Sequence, residues 1–350
     1  MFYLKYRPQT ISDIDNTKVK EQFTLLLQNQ KIPHALLFTG PKGTGKTSSA
    51  RIIAKAINCQ NNLFAQKSKS FEPCNTCDNC ISITKGNSAD VVEIDAASNR
   101  KIDEVRELID KIKFMPIHSR YKVYIIDEIH MLTKESFNAL LKTLEEPPKN
   151  TVFILATTEV DKLPKTVQSR CIQCVFPKAS KADIIHMLSR ITTGEKIKVA
   201  EPVLEFIANH SDNSFRDAAK IFEQVMLQEN LTIDGVKNII GLQLEKDDLL
   251  YLIEKNKLAD ILTVLQSYED KGGDFKVLIE VHLQKLHQLL LQKNGIAIDT
   301  SETYNLSMLQ ITKLIKLFQE AYNLLKVSPI ESLPLEVAIV EYFNQSKDFN

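Results

Sequence analysis

The chain has 350 residues, 43% hydrophobic and 25% charged, with 44 basic residues balancing 44 acidic ones. That length allows two or three domains with a sizeable core, and the composition is ordinary for a soluble globular protein. Residues 1–10 carry charge and proline with no apolar run of the signal-peptide kind, and the longest apolar stretches are strand-sized, so a membrane span is not expected and a cytoplasmic location is.

Residues 1–178 hold 26 Lys and Arg against 19 Asp and Glu, a net of +7, and the remainder holds 18 against 25, a net of −7. Such asymmetry points to an anionic partner for the first half, with ordinary scatter as the alternative. In chain order, apolar β-type runs are expected at 35–39, 91–95, 123–127, 152–157 and 172–176. Helical patterns lie between them at 46–57, 102–113 and 134–144. The last pattern stops at Glu145-Glu146-Pro147-Pro148, where paired prolines forbid continuation. Alternation of strand and helix predicts a mostly parallel sheet in an α/β domain. After Pro177 strand signals give way to helices at 181–190, 202–208, 214–227 and 233–240. A boundary near Gly241 precedes longer amphipathic patterns at 275–292 and 308–325.

Gly40-Pro41-Lys42-Gly43-Thr44-Gly45-Lys46-Thr47-Ser48 carries the pattern G-x-x-x-x-G-K-[ST]. It follows an apolar strand and opens a helix, as phosphate cradling requires. Lys46 then reaches the β- and γ-phosphates and Thr47 ligates Mg²⁺. A Gly-rich turn with an exposed lysine is the alternative. Asp127 and Glu128 end an apolar strand, where ligands bind in open parallel sheets. Asp127 suits Mg²⁺, and Glu128 suits orientation and deprotonation of an attacking water. A solvated acidic turn is the bland reading. Thr157, at the end of the next strand, is placed to sense a γ-phosphate. Arg170, in Ser169-Arg170-Cys171, reads either as an arginine finger supplied to a neighbour or as a surface arginine.

Cys74, Cys77 and Cys80 form C-x₂-C-x₂-C, with Cys59 upstream. Four thiolates at such intervals suit a closed tetrahedral Zn²⁺ site, and the polar residues between them are expected to gain order only from that staple. Iron–sulfur ligation and free thiols are the alternatives. Cys171 and Cys174 lie three apart on a strand, so they point to opposite faces and read as packing residues rather than a redox pair.

These motifs in this order resemble the bacterial DNA polymerase III gamma/tau subunits, AAA+ clamp-loader ATPases. The likeness rests on Tyr6-Arg7-Pro8, the phosphate loop and the Cys59–Cys80 segment. It extends to Glu93-Ile94-Asp95-Ala96-Ala97-Ser98, Asp127-Glu128-Ile129-His130-Met131-Leu132 and the run from Ser136 to Pro148. Ser169-Arg170-Cys171 and Ser214-Phe215-Arg216-Asp217-Ala218 complete it. The resemblance implies an ATPase domain at 1–178 with a zinc module near 59–80, a helical lid at 179–241 and a helical collar at 242–350. It implies that Tyr6, Arg7 and Pro8 line the adenine pocket, that Thr157 is sensor 1, and that Arg170 reaches ATP in an adjacent subunit. Arg216 would contact the γ-phosphate from the lid. ATP, Mg²⁺ and Zn²⁺ are the implied cofactors. The implied partners are delta, delta-prime and further gamma/tau copies, the sliding clamp and primed template DNA, with no membrane. Arg100 and Lys101 are expected to contact DNA phosphates.

The sequence departs from the family at Asn16-Thr17, where Gly-Gln is usual, at Asn213, where Gly is usual, and in a longer Cys59–Cys74 gap. Asn tolerates left-handed backbone, so the turn at Asn213 is expected to survive. Ending soon after the expected collar, the chain resembles the short gamma form or a truncated version. Another AAA+ DNA-remodelling ATPase and a nucleotide-gated scaffold are the rival readings. No carboxylate constellation for polymerase chemistry is evident.

Overall fold

The computed structural model describes residues 1–98, 112, 114–240, 249–296 and 304–346. Arg100, Lys101, most of the helix expected at 102–113 and the boundary expected at Gly241 lie outside the described residues. The chain divides into two compact units, Met1–Met226 and Leu227–Asn350.

The first unit opens with α1 (Phe2–Lys5), α2 (Thr17–Gln28), β1 (Ala35–Thr39) and α3 (Lys46–Asn58), followed by α4 (Asp78–Lys85) and β2 (Val91–Asp95). Then come β3 (Lys122–Asp127), α5 (Lys134–Glu145), β4 (Thr151–Thr157), α6 (Lys165–Gln168) and β5 (Ile172–Val175). The helices α7 (Lys181–Glu195), α8 (Glu201–Asn209) and α9 (Phe215–Leu227) follow. All five expected strands form, with ends within one residue of those read from the sequence.

The strands make one sheet in the order β2-β3-β4-β1-β5, and every pairing is parallel. Between β1 and β2 the chain skips two strand positions, so β4 sits between β1 and β3. That reversal opens a crevice at the carboxyl edge, where Thr39 is level with Thr157 and Asp95 with Asp127. Side-chain alternation divides the core in two. Leu36, Phe38, Val123, Ile125, Val152 and Ile154 pack on one face against α2 and α3. Ala35, Leu37, Tyr124, Ile126, Phe153 and Leu155 pack on the other against α5. The central strands β1, β3 and β4 are buried on both faces and read as continuous apolar runs, whereas β2 and β5 at the edges are part-exposed.

Helix α2 was not expected, although its signals are present. The Asn16 side chain accepts from the Val19 amide at 3.2 Å as N-cap, and Val19, Phe23 and Leu27 recur on one buried face. The Cys59–Cys80 segment is also more ordered than a bare metal staple requires. Phe64 reaches the sheet core, and the Asn62 amide donates to the carbonyls of Ala56 and Phe71. Cys74 and its neighbours lead into α4, which buries Cys80 and Ile83.

The second unit is helical among its described residues: α10 (Ile233–Ile239), α11 (Leu249–Glu254), α12 (Leu258–Asp270), α13 (Phe275–Lys293), α14 (Met308–Leu324) and α15 (Leu333–Ser346). Asp274 caps α13 by accepting from the amides of Lys276 and Val277, and Ser307 and Gln310 form a capping box on α14. Leu278, Ile279, Leu286, Ile311, Phe318 and Ile339 share one core.

Candidate functional site

The loop after β1 turns through Gly43 at φ +79° and Gly45 at φ +95°, backbone that L-residues rarely adopt. A Cβ on Gly43 would also lie 2.0 Å from the Ser214 hydroxyl oxygen. This close approach, with the Phe215 amide donating to the Gly43 carbonyl at 3.2 Å, seats the start of α9 on the loop. Gly45 then caps α3, whose first residues are Lys46 and Thr47.

Lys46 is 6% exposed, and its ammonium donates to the carbonyls of Gly40 at 2.7 Å and Pro41 at 2.8 Å. Burial lowers its pKa, while the nearby charges of Glu128 and Asp127 act the other way. The Thr47 hydroxyl donates to an Asp127 carboxylate oxygen at 2.6 Å, across 80 positions of sequence. A hydroxyl and a carboxylate side by side at a strand end form the donor set that Mg²⁺ takes beside phosphates. Glu128 follows in left-handed backbone, φ +47°, with its amide donating to Asp127 at 3.0 Å. Its carboxylate accepts from the Thr158 hydroxyl at 3.1 Å.

One cleft collects most of the sequence candidates. Tyr6, Arg7, Pro8, the run from Lys42 to Ser48, Asp127, Glu128 and Arg216 all line it. Gly40 and Pro41 do not, and serve as acceptors for Lys46 instead. The Arg216 guanidinium lies 5.2 Å from the Tyr3 ring centroid. Burial and the neighbouring guanidiniums of Arg51 and Arg216 lower the pKa of Arg7. Arg7, Lys42, Lys46 and Arg216 give the cleft the positive charge that a polyphosphate needs. The Tyr6 hydroxyl donates to Glu195 at 2.8 Å, and Gly194 lets the ring approach α7. Asn16, a departure from the family pattern, lines the same cleft.

Thr157 and Arg170 lie outside the cleft lining. Thr157 is fully buried beside it, with its carbonyl accepting from the Gly40 amide at 3.3 Å. Arg170 pairs with Glu145 at 2.6 Å and donates to the Thr166 carbonyl at 2.8 Å, one-third exposed and outside the lining that the phosphate loop shares. Asn213 adopts φ +55°, the left-handed conformation expected there, and its amide donates to the Ala179 carbonyl at 3.0 Å.

The sulfurs of Cys59, Cys74, Cys77 and Cys80 lie within 4.8 Å of one another. Backbone N–H groups point at them: Asn61 and Cys74 to Cys59 at 3.4 Å, and Cys77 to Cys74 at 3.3 Å. Burial pushes the Cys59 and Cys80 thiols up. Burial also acts upward on Cys74, but hydrogen bonds from Thr76 and the Cys77 amide outweigh it and bring Cys74 to about 5. Crowded thiols oppose one another's ionisation, and a dication removes the conflict, so these residues fit zinc. Cys171 and Cys174 pack on opposite faces of the sheet, and burial pushes them up to about 11 and about 12, respectively.

Sequence reasoning missed the roles of three residues. Lys55, 1% exposed, donates to the Gln9 side chain at 2.7 Å and to Asn75 at 2.8 Å, tying the cysteine cluster to the segment that carries Tyr6, Arg7 and Pro8. Glu72 strengthens that tie by accepting from the amides of Ile11 and Ser12 at 2.7 and 2.8 Å. His130 touches three polar groups at the site, and no spacing signal pointed to it.

A family model described as DNA polymerase III, delta subunit, matches residues 15–180. The DNA polymerase III subunit tau of Bacillus subtilis is 41% identical over 305 residues, covering 84% of this chain and 52% of that protein. The DNA polymerase III subunit gamma of Buchnera aphidicola subsp. Baizongia pistaciae is 35% identical over 361 residues, covering 97% of this chain and 95% of that protein. Against tau of B. subtilis and tau/gamma of Haemophilus influenzae, the chain spans about half the relative's length. A solved structure of Thermotoga maritima RuvB aligns with a TM-score of 0.51 at 16% identity, covering 75% of this chain and 84% of that one, a likeness of AAA+ fold alone. A parallel sheet in this order, a phosphate loop joined to Asp127 across it, and 35% identity to a gamma subunit over nearly the full length of both chains lead to one assignment: the chain belongs to the DNA polymerase III gamma/tau subunit family.

Proposed function

We propose that the chain is an ATP-hydrolysing subunit of a clamp loader that places a sliding clamp on primed DNA. The observation that carries the reading is the convergence of Lys46, the Thr47–Asp127 pair and Glu128 in one cleft that Arg216 also lines. In this reading the amides of 43–47 and the Lys46 ammonium bind the phosphates of ATP. Tyr6, Arg7 and Pro8 take the adenine end. Thr47 and Asp127 would hold Mg²⁺, which when bound offsets charge on the β- and γ-phosphates. Glu128 orients a water and takes its proton at a carboxylate oxygen. Arg216, rooted in the helix that rests on Gly43, links the position of α7–α9 to the phosphates.

Residues 1–178 would then be the ATPase domain, with a zinc module held by Cys59, Cys74, Cys77 and Cys80. Residues 179–241 would be the lid and 242–350 the collar that joins delta, delta-prime and further gamma/tau copies. The pairing of Arg170 with Glu145, outside the lining that this chain's phosphate loop shares, supports a finger delivered to ATP in the adjacent subunit, in the cytoplasm where replication proceeds. The clamp and primed DNA are bound better in the ATP state than the ADP state, and hydrolysis releases them. The test is ATP turnover by the protein with its partner subunits, clamp and primed DNA, wild type against Arg170→Ala. Stimulation of wild type by clamp and DNA, lost in the variant while ATP affinity stays, supports the reading. Turnover indifferent to clamp and DNA contradicts it.

A further inference from the structure

His130 lies two residues beyond Glu128, in a short 3₁₀ turn (Ile129–Met131), with a side chain only 6% exposed. Its Nδ1 is 3.0 Å from the Thr157 hydroxyl oxygen and 3.4 Å from a Glu128 carboxylate oxygen. Its Nε2 is 3.3 Å from a Glu159 carboxylate oxygen. One imidazole thus touches the proposed base, the proposed sensor and a second carboxylate.

The hydrogen-bond count at Thr157 makes this contact consequential. Its hydroxyl oxygen already accepts from the Glu159 amide at 3.0 Å. A threonine hydroxyl has one hydrogen to give and two lone pairs. If Nδ1 is bare, it takes that hydrogen and Thr157 has none for a phosphate or a water. If Nδ1 carries a hydrogen, it fills the second lone pair, and the Thr157 hydrogen can only point elsewhere. The carboxylates of Glu128 at Nδ1 and Glu159 at Nε2 are acceptors only, so each is served by an N–H and neither by a bare nitrogen.

We propose that His130 is a positioning residue: Nδ1–H orients the Thr157 hydroxyl so that it donates toward the γ-phosphate and the attacking water, with the Glu128 carboxylate 3.4 Å from the same nitrogen. The inference rests on the ATPase reading above. It adds a residue that touches neither nucleotide nor metal but sets the donor direction of one that does. Glu159 holds the far nitrogen, which fixes the plane of the ring.

The test compares His130→Ala, His130→Asn and His130→Gln in the assembled complex. An Asn amide nitrogen falls near Nδ1 and a Gln amide nitrogen near Nε2, so only Asn restores the donor facing Thr157. His130→Ala lowers kcat on the order of 10- to 100-fold, the scale of a misplaced catalytic group, with ATP affinity within about threefold of wild type. Asn recovers most of the loss and Gln does not. Adding His130→Ala to Thr157→Val costs little beyond Thr157→Val alone, because both act through one hydroxyl. Equal turnover in Asn and Gln variants, or loss of ATP affinity in step with kcat, overturns the proposal. Long-range ¹H–¹⁵N NMR of the histidine ring reads the same point without turnover. A hydrogen on Nδ1 is expected, and an Nε2–H tautomer with bare Nδ1 overturns the inference. If wild type does not hydrolyse ATP at all, the ATPase reading falls and the ring tautomer still decides this one.

Discussion

Lys46 is held among carbonyls and carboxylates at the mouth of α3, and its removal deletes a charged donor to the phosphates. Hydrogen bonds to charged groups are worth about 1.5–3 kcal/mol, so Lys46→Ala should weaken ATP binding on the order of 10- to 100-fold in an equilibrium titration. Asn213 permits a second prediction at this scale. Left-handed backbone costs a residue with an ordinary side chain about 1–2 kcal/mol, and Asn213 sits at φ +55°. Asn213→Gly loses only the side-chain hydrogen bond to Ala179 and should lower urea stability by about 0.5–1.5 kcal/mol, whereas Asn213→Val loses that bond and also meets the backbone cost, so it should lower stability further by about 1–2 kcal/mol. Equal stability of the two variants would remove the conformational argument. The residue type at 213 foretold this geometry. For His130 nothing did, because its contacts depend on the left-handed turn at Glu128 and on Thr157 arriving from β4.

At the scale of elements, Asp90 holds the loop that enters β3. One carboxylate oxygen accepts from the Ile117 amide at 2.7 Å, and the other accepts from His118 and Ser119 at 2.8 Å each. Burial acts upward on the Asp90 pKa, but these backbone donors outweigh it and the net shift is downward. A carboxylate with a depressed pKa contributes stability that is present above its unfolded value of ~4 and is lost as pH falls through the folded one. Asp90→Asn keeps one acceptor oxygen and turns an NH₂ toward amide donors. It should cost about 1–3 kcal/mol near neutral pH, with the gap to wild type closing below pH ~4 in acid titrations of stability. A gap that does not narrow would place the effect elsewhere.

The cysteine module makes a different case. That its four cysteines converge was legible from spacing, but its bracing of residues 9–12 through Lys55 and Glu72 was not, since those partners are distant in sequence. Cys80→Ser should release zinc, measured as metal per chain, and should also weaken nucleotide binding, because Gln9, Ile11 and Ser12 lose a fixed support. Unchanged ATP affinity in the zinc-free variant would show the two sites to be independent. The central strands, buried on both faces, were readable as apolar runs, whereas α2 was hidden because only three of its 12 residues are buried.

Over the whole molecule, the first 178 residues are basic and the rest acidic by equal amounts. If the basic half meets DNA, affinity for primed DNA must fall steeply with salt, since phosphate contacts release counterions. A flat salt response would detach charge asymmetry from function. The order of motifs along the chain carried most of the assignment, because the phosphate loop, the Asp127–Glu128 pair and Thr157 stand at the ends of β1, β3 and β4, which are neighbours in the sheet. What spacing left unstated is which groups meet across that edge, and the Thr47–Asp127 hydrogen bond supplies it.

The central claim is that this cleft hydrolyses ATP with Glu128 as base, and single-turnover hydrolysis by Glu128→Gln against wild type, alongside ATP binding, tests it most directly. The account predicts that the variant binds ATP within a few-fold of wild type and turns it over on the order of 100-fold or more slowly, the upper range for a lost general base. Wild-type hydrolysis rates in Glu128→Gln would contradict it.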